Sequence, residues 1–315
     1  MTETAVTIRR RHFTQSEGRT WRRCRRKWWL GTYRRLRMRP ELQTPSAASL
    51  GTLVHACLEA VYLGVDWQQT LARYRAHADE IYAENAESRA DYEKHLELAQ
   101  IMVEGYLDWL EESGADQWIE FLDTESRVEV PFLTHGDTEV WLLGKLDALI
   151  RDKYDDTLGF IDFKTVGSLK EIPKNAPRDE QFLHYTLLLS LLHPDAERPA
   201  GGIWRQLRKV KRTARSTPPF YGEHRARFNA EQLESYRIRI AAIIREVLQT
   251  EMALNAGGDP RELVPPLPTN DCSWSCEFSQ VCPMFDNGDR VEDYLADWYV
   301  EGNPLERYAD KEETE

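Results

Sequence analysis

No stretch of this 315-residue sequence approaches the ~20 consecutive apolar residues that a membrane-spanning helix requires. The N-terminus is charged and contains no apolar core of a secretory signal. No membrane span or export is therefore expected, and the reducing cytoplasm is the expected compartment. Cysteine is scarce, with five residues, too few for a disulfide scaffold of this length. In that compartment such thiols bind metal or sit buried. Internal repeats and long low-complexity tracts are also missing, which excludes collagen-like chains. What is present is 41% hydrophobic and 30% charged with 10 Trp, the composition of a folded protein with a sizeable core.

A net positive charge is lacking too. The formal net charge of −12 by itself argues against a nucleic-acid binder. The charge is segregated, however. Residues 9–39 carry 13 Lys/Arg against one acid, and residues 205–215 hold six Lys/Arg and none. Residues 79–125 contain fifteen Asp/Glu, and residues 286–315 contain eleven against three basic residues. Such segregation can set a positive groove in a negative body and steer polyanions. It equally describes solvated acidic helix faces balanced by basic ones.

Hydrophobic periodicity predicts helices over about 15–30, 49–63, 67–86, 90–112, 178–192 and 230–252. A Thr14–Glu17 capping box opens the first. Short β-branched and aromatic runs predict strands over 127–133, 139–150, 158–166, 202–210 and 221–228. A loop is expected over 36–48. This order indicates an α/β fold with helical decoration. Five regions follow: a basic N-terminal helix (1–48), a helical region with an acidic insertion (49–126), an α/β core (127–256), a linker with a cysteine segment (257–285) and an acidic tail (286–315).

The segment Gly159-Phe-Ile-Asp162-Phe-Lys164-Thr165 is the most informative. On a strand, Asp162 and Lys164 point the same way, while Ile161 and Phe163 face apolar surroundings. Charges on so apolar a strand are expensive unless paired or used. One strand earlier, Asp147 is a lone acid in a similar run. Hairpin-linked strands can bring Asp147 and Asp162 together, where a divalent cation, Mg²⁺ or Mn²⁺, would relieve their repulsion. The backbone carbonyl of Phe163 can add a ligand. Lys164 can orient or activate a water at that ion, or offset charge developing on a phosphate. Without a cation, the same residues read as a buried ion pair. His55, on the apolar face of its helix, suits a third ligand, with Glu59 at i+4 placed to orient it. Gln181 and Tyr185 share a helix face and can hydrogen-bond a phosphate or Lys164.

Cys272, Cys276 and Cys282 follow the spacing C-x3-C-x5-C, with Pro after the last. Tetrahedral thiolate sites want four ligands, and the fourth is best sought in Cys24, with Cys57 as competitor. Zinc and a 4Fe–4S cluster both accept four thiolates, and spacing does not choose between them. A shared site would tie residue 24 to residue 272.

Taken together, the basic Trp21-Arg22-Arg23-Cys24-Arg25-Arg26-Lys27-Trp28-Trp29 helix, Gly51-Thr-Leu-Val-His55, Asp147, Asp162-Phe-Lys164, Gln181-x3-Tyr185 and the cysteine triad resemble the RecB-like, Cas4-like branch of the PD-(D/E)xK nuclease superfamily. The resemblance runs from Thr14 to Pro283. It implies a restriction-endonuclease-like core, a mixed central sheet flanked by helices, with a helical insertion and a cysteine-stapled cluster. It implies a metal-dependent DNA exonuclease with 5′→3′ polarity on single-stranded ends. His55, Asp147 and Asp162 would be ligands, Lys164 the catalytic lysine, and a 4Fe–4S cluster the staple. Arg25 stands where these proteins usually have Pro, the first cysteine gap is three rather than two, and the second acid is Asp where many relatives have Glu. Arg22, Arg23, Arg25, Arg26, Lys27, Arg205, Arg208, Lys209 and Lys211 would track the DNA backbone, and Trp21, Trp28, Trp29 and Trp204 would stack bases. Recombination or repair proteins are the expected partners, and a bacterial or viral origin fits. A DNA-binding or adaptor subunit without turnover, in a recombination or CRISPR spacer-acquisition complex, is the alternative.

Overall fold

The computed structural model describes residues 8–170, 176–196 and 200–309. In chain order the elements used below are β1 (Arg9–Thr14), α1 (Gln15–Arg23), α2 (Arg25–Trp28), β2 (Leu36–Met38), α3 (Ala47–Tyr62), α4 (Trp67–Ile81), α5 (Ala86–Ser113), β3 (Ile119–His135), β4 (Thr138–Asp152), β5 (Leu158–Val166), α6 (Glu180–Leu192), β6 (Gly201–Arg208), β7 (Tyr221–Ala226), α7 (Ala230–Asn255), α8 (Val291–Trp298) and β8 (Tyr299–Glu301). They fall into two compact units that interleave along the chain. One comprises Met1–Gln43, Glu129–Gly144 and Glu234–Glu315, and the other Thr44–Val128 and Lys145–Leu233.

The second unit holds a mixed sheet. The C-terminal half of β4 pairs antiparallel with β5, β5 pairs parallel with β6, and β6 pairs antiparallel with β7. Side-chain alternation divides its faces. Ala148, Ile150, Ile161, Phe163, Ile203 and Leu207 form one core with Leu53, Val54, Cys57 and Leu58 of α3 and Met102, Val103 and Tyr106 of α5. On the opposite face Phe182 of α6 stacks on Trp204, ring centroids 3.5 Å apart, and meets Phe160 edge-on at 4.8 Å. The expected α/β class with helices on a mixed sheet is what the chain adopts. The Ser46 hydroxyl caps α3 by accepting the Ala48 and Ser49 backbone N–H groups.

In the first unit β1 pairs in parallel with Thr138–Leu143 of β4. The side chain of Thr14 caps α1 by accepting the Glu17 N–H at 3.1 Å. The single helix expected over 15–30 is interrupted. Cys24 is extended (φ −162°, ψ 112°), and its Sγ accepts the Lys27 N–H at 3.5 Å to start α2. The 36–48 loop contains β2, which pairs antiparallel with β8. Strand β1 escapes a periodicity reading because Arg9-Arg10-Arg11-His12 has no apolar alternation.

Candidate active site

Asp147 and Asp162 meet because of register. Ala148 faces Ile161 and Leu149 faces Phe160, so one further step of the ladder sets Asp147 opposite Asp162. The backbone N–H of Phe163 donates to Asp147 Oδ2 at 2.7 Å, which locks the first acid to the second strand. His55, projecting from α3, places Nδ1 3.4 Å from Asp147 Oδ1. Glu59, one turn on, is half-buried.

On the α6 side, Lys164 Nζ lies 2.9 Å from Asp162 Oδ1 and 2.7 Å from Oδ2. It also donates to Gln181 Oε1 at 2.8 Å. The Gln181 amide donates to Asp162 Oδ1 at 2.9 Å and to the Tyr185 hydroxyl at 3.0 Å. The i,i+4 pair on α6 thus braces both charged groups of β5. The structure brings His55, Asp147, Asp162, Lys164, Gln181 and Tyr185 together.

The electrostatics follow from burial and pairing. Burial works against the His55 imidazolium, but the Asp147 carboxylate outweighs it, and with Asp162 the pKa rises to about 9. Burial pushes Asp162 upward, Lys164 opposes it, and the Asp147 charge adds to the rise, giving about 6. Asp147 moves down, because His55 and Lys164 outweigh its burial. Lys164 moves up although burial opposes the charge, because Asp162 and Asp147 face it. Two carboxylates thus share one positive neighbourhood, and their environments push their pKa values apart.

One member escaped the sequence reading. Ligand atoms of His55, Glu125 and Asp147 all lie within 4.8 Å of one another. An imidazole nitrogen with carboxylate oxygens is a donor set for Mg²⁺ or Mn²⁺, so the residues fit a divalent cation. Glu125 sits on β3, where an acidic helical insertion was expected to end, and it forms an ion pair of 2.8 Å with Lys145.

Several expected DNA contacts need correction. Arg205 is not on a groove surface. Its side chain is 0% exposed and pairs with Asp116 and Glu223, both at 2.8 Å, and with the Tyr106 hydroxyl at 2.9 Å. Strand alternation carries it to the α5 face. Arg26 is 2% exposed and donates to Asp286 and to the carbonyls of Val264 and Cys282. Trp21, Trp28, Trp29 and Trp204 are buried and do not offer faces to bases. Trp21 and Trp28 pack edge-on at 4.8 Å, and Trp29 meets Phe285 at 5.2 Å. Arg22, Arg23, Arg25 and Lys211 are exposed, and Lys27, Arg208 and Lys209 are half-buried. Arg23 pairs with Asp271, Arg25 with Glu246, and Lys211 with Glu97.

Cys24, Cys272, Cys276 and Cys282 belong to the first unit and carry no disulfide. The Arg23–Asp271 pair joins the neighbours of Cys24 and Cys272, and Arg26 reaches the Cys282 carbonyl. Cys24 and Cys272 each accept a backbone N–H, from Lys27 at 3.5 Å and Thr269 at 3.4 Å. Burial holds the Cys276 thiol above its usual pKa and pushes Cys282 up to about 11, with Cys24 and Cys276 among the groups acting on Cys282. Cys276 and Cys282 are half-buried, and thiols raised in this way ionise readily only beside a cation. Cys57, buried among the α3 core residues, is the competitor that packing accounts for; burial raises its pKa to about 12.

A strand-borne acid and lysine, a second acid in register and a helical histidine thus meet at one point of the β4–β5 ladder. The chain belongs to the PD-(D/E)XK nuclease superfamily, whose model matches residues 12–283. Members of this superfamily use divalent metal ions. No protein of curated function matches the chain. Among solved structures it is similar to SSO0001 at 19% identity and a TM-score of 0.34, covering 74% of this chain and 84% of that one. It is also similar to the alkaline exonuclease LHK-Exo from Laribacter hongkongensis at 12% identity and a TM-score of 0.31, covering 55% of this chain and 86% of that one. No helix among the described residues is long and apolar enough to cross a membrane.

Proposed function

We propose that this nuclease is a DNA exonuclease dependent on Mg²⁺ or Mn²⁺, acting on single-stranded ends with 5′→3′ polarity. The observation that carries this reading is the convergence of Asp147, Asp162, His55 and Lys164 at one point of the β4–β5 ladder. Asp147, Asp162, His55 and the Phe163 carbonyl would hold the ion. When bound, it would polarise the scissile phosphate and lower the pKa of the attacking water. Lys164 then holds that water by a hydrogen bond and offsets charge growing on the phosphate. Gln181 and Tyr185 keep the ammonium aimed. The exposed Arg22, Arg23 and Arg25, with Lys27, Arg208, Lys209 and Lys211, supply phosphate contacts.

Cys24, Cys272, Cys276 and Cys282 hold a 4Fe–4S cluster that staples the first unit, with zinc the less favoured occupant. Action in the cytoplasm beside recombination or repair proteins fits this reading. Digestion of single- and double-stranded DNA labelled at either end, with Mg²⁺, Mn²⁺ or EDTA, tests it. Stepwise release of label from 5′ single-stranded ends, dependent on metal, is the expected result. Internal nicking alone, or the same products in EDTA, contradicts it.

A further inference from the structure

Strand β3 changes parity. Ile119 is buried and Phe121 packs on the core, whereas Leu122 is exposed. Farther along, Ser126 and Val128 are buried, so the inward positions have shifted from odd to even. An ordinary strand keeps its faces with period two and a negative φ, and the backbone of β3 departs from that pattern between these points. The departure falls at Glu125, with φ at 52° in the left-handed region. Among the described residues, Arg35 and Asp156 are the other non-glycines with positive φ, and of the three only Glu125 lies inside a strand. For a residue with a Cβ this conformation costs about 1–2 kcal/mol. Strained backbone persists where the surroundings over-determine it, and it clusters at functional sites. The Ser126 hydroxyl donates to Asp123 Oδ2 at 2.6 Å and closes the base of the distortion.

The consequence is chemical. From this left-handed position the Glu125 carboxylate lies within 4.8 Å of the ligand atoms of both His55 and Asp147. Asp162, by contrast, is engaged by Lys164 and Gln181. We infer that Glu125 is an additional ligand of the divalent cation, outside the His–Asp–Asp set that the superfamily resemblance implies, and that Lys145 is its resting counter-ion. The inference rests on the metal-dependent reading above and deepens it. Lys145 Nζ holds Glu125 at 2.8 Å, with both side chains largely shielded from water. Cation and ammonium then compete for one carboxylate, so Lys145 sets how tightly the site holds its metal.

Titration of the full-length protein with Mn²⁺, followed by calorimetry and by the loss of the free-ion electron paramagnetic resonance signal, tests this without any cleavage readout. Glu125→Gln should weaken Mn²⁺ binding at least tenfold, and Lys145→Met should tighten it severalfold. Asp147→Asn serves as reference, and circular dichroism establishes that each variant is folded. Should Glu125→Gln not fold, Lys145→Met decides alone: tighter binding supports the competition, and unchanged or weaker binding overturns it. Loss of binding in Asp147→Asn with wild-type affinity in Glu125→Gln overturns the role of Glu125 and leaves the nuclease reading standing. A wild-type protein that binds no Mn²⁺ overturns both.

Discussion

The backbone N–H of Phe163 donates to Asp147 Oδ2 at 2.7 Å, so the first acid is fixed by the strand that carries the second. One carboxylate oxygen faces the ladder and the other faces His55. Shortening is not needed to disturb this arrangement. Asp147→Asn keeps the shape but removes the charge that holds His55 protonated. In metal-free protein the raised His55 pKa contributes stability that is fully present below about pH 6.5 and is lost as pH rises through about 9. Melting curves in EDTA from about pH 6 to about pH 10 should therefore fall more steeply for wild type than for Asp147→Asn. Parallel curves would contradict the pairing.

Lys164 and Gln181 are coupled but not equivalent. Lys164→Met should lower cleavage at least about a hundredfold, as loss of a proton-handling or charge-stabilising group does. Gln181→Ala leaves the ammonium paired with Asp162 but frees its aim, so its loss should be smaller. Single-turnover rates at saturating metal measure both. Equal losses would give Gln181 a direct role.

Arg205 should behave as a structural residue. Replacing it with Met takes the buried guanidinium from the partly exposed Asp116 and Glu223 and from the Tyr106 hydroxyl, and losing one partner from such a network costs about 1–3 kcal/mol. Urea unfolding should show that loss, while DNA affinity of the folded fraction stays unchanged. A variant of wild-type stability with weakened DNA binding would restore Arg205 to a groove.

Gly202 lies under the aromatic stack on the α6 face. A Cβ there would overlap the Phe182 ring and come within 2.6 Å of Phe160. Overpacking of this kind costs about 1–3 kcal/mol, so Gly202→Ala should lower the unfolding midpoint without altering metal affinity. Wild-type stability would show that the stack yields.

The site residues legible in the sequence are those whose placement follows a fixed period. Asp162 and Lys164 share a face because a strand repeats every two residues, and Gln181 and Tyr185 share one because a helix repeats near four. Asp147 and His55 stood out as polar groups in apolar runs. Glu125 was hidden because β3 loses its regular in–out alternation around it, and because it closes a stretch of fifteen acids. Arg205 was misread for the converse reason. A linear basic run looks continuous, yet alternation on β6 sends Arg205 inward to acids contributed by distant segments. The tryptophans of the first helix carried no periodic label for burial, and only packing of Trp21 against Trp28 decides it.

The thiol site proposed above has its own signature. Protein purified without oxygen should be brown, with iron and sulfide in 4Fe–4S stoichiometry, and Cys24→Ser should lose both. A colourless, zinc-containing protein would replace the cluster with a tetrahedral zinc and leave the β4–β5 centre unaffected.

The most direct measurement compares wild type with Asp162→Asn on end-labelled single-stranded DNA, scoring cleavage and binding in the same samples. With Mg²⁺ or Mn²⁺ the wild type should degrade the strand and in EDTA it should not, while Asp162→Asn binds the DNA and leaves it intact. Degradation by Asp162→Asn at the wild-type rate would contradict the assignment of this centre.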